Sequence, residues 1–373
     1  MINKNFILYL FLLTAPFLSI VSFRINSKAV FIFVALFLIF NFFFYKIRLP
    51  KESLKELFFI IFFLISILFI SEIHSLIFTN NSNLKSIRFF GLFLPIFTYY
   101  LLMYDLSYFL KKYLTKILTF YILVFSISIF VDYFILHSMI DITLQPMYDK
   151  NSLTYITRPF GLTGQPSVNS VLLVFFYTVL LSIKSKNNSK ILFIFVTVGV
   201  ALQGSGSGFI SYLMLLFCML KNVNYIYKYL LYLIGLFIFL LLLDNGFLYK
   251  ISGTYILEMV NVVFDRTQSW LNGLDSYSYI FFGGSPGSID FGMLFIISSV
   301  GLFYFLAILL FFLYLTLKAD NHYDRTAIYI ILIGNLHYPV IFYLIMVFVL
   351  PLFIYKVLYA RINSNQPRLM RYS

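Results

Sequence analysis

Four short segments hold residue types that could do chemistry. The first runs Arg158-Pro159-Phe160-Gly161-Leu162-Thr163-Gly164-Gln165-Pro166-Ser167-Val168-Asn169. Pro166 suits the first turn of a helix, and the backbone N–H groups at such a start favour anions. Arg158, just upstream, carries the planar fork that grips a phosphate through two parallel hydrogen bonds. The same residues also read as a turn with an interfacial arginine.

The second segment is Gln203-Gly204-Ser205-Gly206-Ser207-Gly208. It lacks the lysine of a phosphate-binding loop and the G-x-G-x-x-G spacing, so it reads as a tight interhelical turn with close backbone approach. The third is Asp265-Arg266-Thr267-Gln268-Ser269-Trp270-Leu271-Asn272-Gly273, followed by Phe282-Gly283-Gly284-Ser285-Pro286-Gly287. A cation near the single Trp could hold an anionic or sugar group; an Asp–Arg surface contact beside an interfacial aromatic is the plainer reading. The fourth is His337 within Gly334-Asn335-Leu336-His337-Tyr338-Pro339. An imidazole titrates near neutral pH and makes a candidate general base, while a neutral, hydrogen-bonded histidine is the alternative. Glu72, His74, Asp132 and His137 rank below these as polar lining.

No Asp-x-Asp pair, His-Glu-x-x-His helix or Gly-x-Ser-x-Gly elbow is present. The inventory favours electrostatic chemistry by arginine, with no metal and no cofactor. The single cysteine, Cys218, sits in an apolar run and offers neither an intrachain disulfide nor a thiolate metal site.

These residues need a scaffold, and composition limits what it can be. Of 373 residues 61% are apolar or aromatic and 11% are charged, with a mean hydropathy of +0.94. Soluble domains carry about 25% charged residues, so a soluble globular domain, a disordered chain and a coiled coil are all excluded. The expected fold is all-α, a single polytopic membrane domain over 1–373. Apolar runs fall near 6–22, 29–45, 57–77, 88–104, 117–137, 166–183, 191–203, 207–220, 229–243, 289–317, 327–338 and 341–358. Most approach the roughly 20 residues a bilayer crossing needs; 191–203 and 207–220 are short and joined through Gln203–Gly208, so they read as a tight pair. The last two are separated only at His337-Tyr338-Pro339, so one kinked helix there gives about eleven spans instead of about twelve.

With the N-terminus inside, 19 of the 27 Lys and Arg fall in internal segments and eight outside: Arg24, Lys28, Lys85, Arg88, Lys150, Arg158, Lys250 and Arg266. That is the positive-inside bias, and it turns the formal charge of +13 into an orientation signal. A nucleic-acid partner is not expected, and both termini are placed on the cytoplasmic side. The two long connections, 138–165 and 244–288, fall outside together with Asp141, Asp149, Asp244, Glu258, Asp265, Asp275 and Asp290. Chemistry is therefore expected on the outer face.

In order and spacing the four segments resemble the O-antigen polymerase (Wzy) and O-antigen ligase superfamily of bacterial inner-membrane glycosyltransferases. The matching residues are Arg158-x-x-Gly161 with Pro166 and Asn169, Ser205-x-Ser207-Gly208, Arg266 with Trp270, Gly283-Gly284 with Asp290, and His337. The match covers roughly residues 150–345. One departure is Gly206, where the family commonly has an arginine between the two hydroxyl residues.

The resemblance implies periplasmic, metal-independent glycosyl transfer from an undecaprenyl-pyrophosphate-linked oligosaccharide. Arg158 and Arg266 would stabilise the leaving pyrophosphate, and His337 would take the acceptor's proton, with Glu258 or Asp265 as the next choice. Gly161, Gln165, Asn169, Ser205, Ser207, Trp270 and Asp290 would contact substrate. A chain-length regulator and a flippase are the implied protein partners. The product would be O-antigen or capsule. A ligase transferring glycan to lipid A core is the nearest alternative. A flippase is the alternative from a different class, but a transporter should show repeats or charges at the midplane, and the sequence has neither.

Overall fold

The computed structural model describes residues 4–24, 55–79, 106–134, 159, 161–183, 190–220, 256–274, 276–284 and 292–364. Every regular element among them is helical, so the protein is all-α over the described residues. The helices are α1 (Lys4–Arg24), α2 (Lys55–Thr79), α3 (Thr115–Phe134), α4 (Pro166–Ile183), α5 (Lys190–Gln203) and α6 (Gly206–Met219). They continue as α7 (Ile256–Asn272), α8 (Ser278–Phe282), α9 (Gly292–Val300), α10 (Leu302–Lys318), α11 (His322–His337) and α12 (Leu344–Ser364). A wider π-helical turn, Leu110–Leu114, leads into α3.

A helix that is apolar on every side has to be enclosed, and α4 is that helix. All its residues from Ser167 to Leu181 are buried, with α3, α5, α6 and α11 packed around it. Small residues set the distance of approach. A Cβ on Gly208 would lie 2.2 Å from Ser170 Oγ, one on Gly199 2.8 Å from Leu173 Cδ1, and one on Gly334 2.7 Å from Val171 Cγ1. On the far side, α1 leans on α3 and α12. The Tyr121 hydroxyl donates to the Leu12 carbonyl, and Phe11 meets Phe348 edge-on.

The tight pair expected at 203–208 is present. Gly204 takes a positive φ of 54°, Ser205 caps α6, and Thr197 Oγ1 lies 2.7 Å from the Tyr212 hydroxyl across the two helices. The choice between one kinked helix and two at the chain's end also resolves. Asp324, in the first turn of α11, pairs with Lys356 in the second half of α12. In one continuous helix those residues would be roughly 48 Å apart. They meet because α11 and α12 run antiparallel, separated by the 3-10 turn Val340–Phe342. Asn335 Oδ1 accepts from Ile341 N at 3.2 Å across that turn.

One expectation is corrected. The apolar run over 289–317 is two helices, α9 and α10, broken at Gly301. Gly301 has a φ of +93°, a conformation that only glycine adopts readily. A Cβ there would lie 2.2 Å from the Phe281 carbonyl oxygen. The Gly283-Gly284 segment packs into the break, with Gly284 N donating to Ser299 O at 3.2 Å. Hydropathy cannot register this, because glycine is nearly neutral on such scales and its neighbours are apolar. Gly301→Ala is expected to destabilise the protein by about 1–3 kcal/mol, read as a lower thermal unfolding midpoint in detergent. An unchanged midpoint would show that the break tolerates a side chain.

The connection over 244–288 holds α7 and α8. Here α8 packs on α2 through His74, whose Nε2 lies 2.9 Å from Ser278 Oγ and whose ring sits among Phe78, Tyr279 and Phe282. Among the described residues, Leu110–Phe134 and Pro166–Ile183 are long and apolar enough to cross a membrane. Helices α5, α6 and α10, and parts of α1, α2 and α12, are apolar over shorter runs. The runs near 29–45, 88–104 and 229–243 lie outside the described residues, as does most of 138–165.

Candidate functional site

The start of α4 is organised by its own side chains. Thr163 donates to Asn169 Oδ1 twice, through its backbone N at 3.2 Å and its hydroxyl at 2.9 Å. The Gln165 carbonyl accepts from Val168 N and Asn169 N. Gly161 and Gly164 have positive φ angles of 59° and 72°, and a Cβ on Gly161 would lie 2.6 Å from Asn169 Nδ2. This turn therefore needs glycine at 161 and a short amide at 169.

Two more helices hold the turn from outside. Asp132 Oδ2, near the end of α3, accepts from Gly161 N at 3.2 Å. Gln203 Nε2, at the end of α5, donates to the Pro159 carbonyl at 2.9 Å. Gln203 is fully buried, and its Oε1 has no hydrogen-bond partner among the described residues. An orphaned buried acceptor costs about 1–3 kcal/mol, which the bond from Nε2 to the buried Pro159 carbonyl offsets.

The glycine-serine turn closes on the same place. Ser205 Oγ and Ser207 Oγ lie 3.1 Å apart, both residues are buried, and Gly208 sits against Ser170. Helices α4 and α6 therefore begin side by side. Each start carries the partial positive charge of its helix dipole, and together they make this end of the bundle favourable to an anion. Helix α11 arrives antiparallel to α4, with Gly334 against Val171. His337 is its last residue, half-buried with its ring edge-on to Tyr338. The first residue of α9 joins the same end: a Cβ on Gly292 would lie 2.4 Å from the Asn335 carbonyl oxygen.

Of the expected site residues, the structure thus brings Gly161, Gln165 and Asn169 together with Ser205 and Ser207, and ends α11 at His337 on the same side. Asn169 Oδ1 is engaged by Thr163, so Asn169 shapes the turn. Asp265 is exposed on α7, and Trp270 is buried, at 9% exposure, so its ring is not an open stacking platform. Glu258 and Arg266 belong to α7, where only their backbone is described; Arg158 and Asp290 lie outside the described residues.

Three contributors were not singled out from sequence: Thr163, Ser170 and Gln203. Asp132, which the sequence places among the polar lining, holds this turn through Gly161 N; an acid inside an apolar run is itself a signal. Among the described residues no group of three His, Cys, Asp or Glu side chains is placed to hold a metal ion. Compared with protein-family models, curated proteins and solved structures, the chain matches none.

Proposed function

We propose that this chain is a polytopic membrane polysaccharide polymerase. It joins oligosaccharide repeat units carried on undecaprenyl pyrophosphate at the outer face of a bacterial inner membrane, through about twelve spans. The observation that carries the reading is the convergence of three separate sequence segments at one end of the bundle. The turn after Arg158 is bonded to Gln203 and Asp132, the Ser205–Gly208 turn packs on Ser170, and α11 brings His337 to the same end.

Two further facts support it. Positions that the charge pattern assigns to one membrane side are the ones that meet: His74 with Ser278, Asp132 with Gly161, and Ser182 and Asp324 with Lys356. The outward surface is also strongly apolar. Phe62, Phe69, Ile77 and Phe78 on α2, Ile191 and Ile194 on α5, and Leu310 and Leu317 on α10 are each more than half exposed. Apolar surface on that scale marks contact with lipid or protein.

The chemistry follows from the charges. Breaking the bond from anomeric carbon to phosphate oxygen leaves a pyrophosphate, which departs readily once its growing charge is met. Arginines in a water-poor site supply that charge without a metal. His337 takes the proton from the acceptor hydroxyl as it attacks.

The test uses full-length protein in lipid vesicles, supplied with undecaprenyl-pyrophosphate-linked repeat units extracted from a host strain lacking the chain. A ladder of lengthened lipid-linked glycans is expected, equally in EDTA. Transfer only to added lipid A core would establish the ligase instead. No transfer to either acceptor would overturn the proposal.

A further inference from the structure

We infer that α7 lies in the plane of the outer lipid–water boundary, with its apolar stripe resting on the acyl chains of that leaflet. This rests on the membrane placement in the proposed function. Helix α7 is 17 residues long and carries Glu258, Asp265 and Arg266, so it is too short and too charged to cross a bilayer. Its residues are sorted by polarity around the helix axis. At 3.6 residues per turn, Asn261, Asp265, Gln268, Ser269 and Asn272 fall on one arc. Phe264 and Leu271, almost two turns apart, stand side by side on the next arc, which Trp270 bounds on its far edge.

The exposures follow the same division. All five polar residues are exposed, and so are Phe264, at 67%, and Leu271, at 39%. Trp270 is buried, so the helix turns that edge toward the protein. Water suits the polar arc and penalises an exposed phenylalanine beside an exposed leucine; hydrocarbon does the reverse. The boundary between them satisfies both arcs at once.

Exposed apolar surface continues along the chain. Tyr277 is exposed just before α8, and Phe281 of α8 lies against Phe303 of α10 with ring centroids 5.6 Å apart, both rings exposed. Phe303, Leu310 and Leu317 are spaced by seven and form one exposed stripe down α10. Two acids against one arginine leave α7 without net positive charge. Apolar contact therefore holds it, and the partner is a glycerolipid surface that need not be anionic.

The experiment reads depth from single spin labels on the full-length protein in phosphatidylcholine vesicles. Cys218→Ala supplies a cysteine-free background. Labels are placed through Phe264→Cys and Leu271→Cys on the apolar arc, Ser269→Cys and Asn272→Cys on the polar arc, and Leu310→Cys on α10. Collisions with oxygen, which partitions into lipid, are compared with collisions with a water-soluble nickel chelate. Labels at 264 and 271 are expected to be mobile, shielded from nickel and shallower than the label at 310, while those at 269 and 272 meet nickel freely. Added phosphatidylglycerol or salt is expected to change none of this.

Nickel contact at 264 and 271 equal to that at 269 and 272 overturns the inference. So do immobile labels excluded from both reagents, which would show protein covering the stripe, and a depth equal to that at 310, which would make α7 an inserted segment. Shielding that needs phosphatidylglycerol and vanishes in salt overturns the apolar mode of contact. The label at 310 keeps the two levels apart. If it too meets nickel freely, the membrane reading fails; if it lies in lipid while 264 and 271 lie in water, only the placement of α7 fails.

Discussion

Arg158→Ala and Arg266→Ala are each expected to abolish long-chain polysaccharide in cells while leaving the protein at its normal level in the membrane. The charge pattern assigns both arginines to the expected outer side, with eight basic residues against 19 on the other, so the bias expected to orient the chain does not explain them. Removing a donor aimed at developing negative charge in a water-poor site typically lowers kcat by about a hundred- to a thousandfold. At that deficit, chain extension falls behind the supply of repeat units, and only single units remain on a gel of cell-surface glycans.

Lysine at either position is expected to restore little. It keeps the charge but presents a compact ammonium in place of two parallel donors. Single units retained at the cell surface would point to the polymerase, whereas their loss from the surface would point to the ligase. An unchanged ladder in both alanine variants would remove the arginines from the mechanism.

The second large effect is expected at the opposite end of the bundle. Lys356 donates to Ser182 Oγ at 2.7 Å and pairs with Asp324, tying α4, α11 and α12 together. Both side chains are mostly buried, at 15% and 6% exposure. Replacing one partner strands the other charge where water cannot reach it. Lys356→Met is therefore expected to destabilise the protein by about 3–5 kcal/mol, read as a fall in the thermal unfolding midpoint.

Removing both charges is different in sign. The double variant Asp324→Leu with Lys356→Met leaves no stranded ion, and buried pairs replaced by apolar residues are often neutral or stabilising. Its midpoint is expected to return to the wild-type value or above. A double variant as unstable as the single would mean that the ion pair itself, and not its imbalance, holds the three helices. The pair also fixes which way α12 runs, since it closes only when α11 and α12 are antiparallel.

Much of this could be read from the residue order, and the reason is the bilayer-like patterning of the chain. Runs near 20 apolar residues with charge between them leave helix as the only economical backbone. That is why α4 begins at Pro166 and ends at Ile183 as the hydropathy predicts. The glycine-serine turn was also legible, because Gly204 and the Ser205 cap act through nearest neighbours. The break at Gly301 was not, since what requires glycine there is the Phe281 carbonyl 20 residues earlier.

The site divides along the same line. Gly161, Gln165 and Asn169 lie within five residues of Pro166, so their local roles follow from helix-start chemistry. Ser205 and Ser207 were visible for the same reason. The joining of these segments was decided by tertiary structure alone. Gln203 meets Pro159 across 44 residues and Asp132 meets Gly161 across 29, and neither pairing leaves a periodic mark in the sequence. Composition and the placement of basic residues determined the helical class and the expected orientation, because desolvating backbone and charge is a cost each segment bears alone. Which helix starts stand side by side depends on where a missing Cβ lets two backbones approach, as Gly208 does at Ser170. That is a property of pairs of surfaces, and only the folded chain brings those surfaces together.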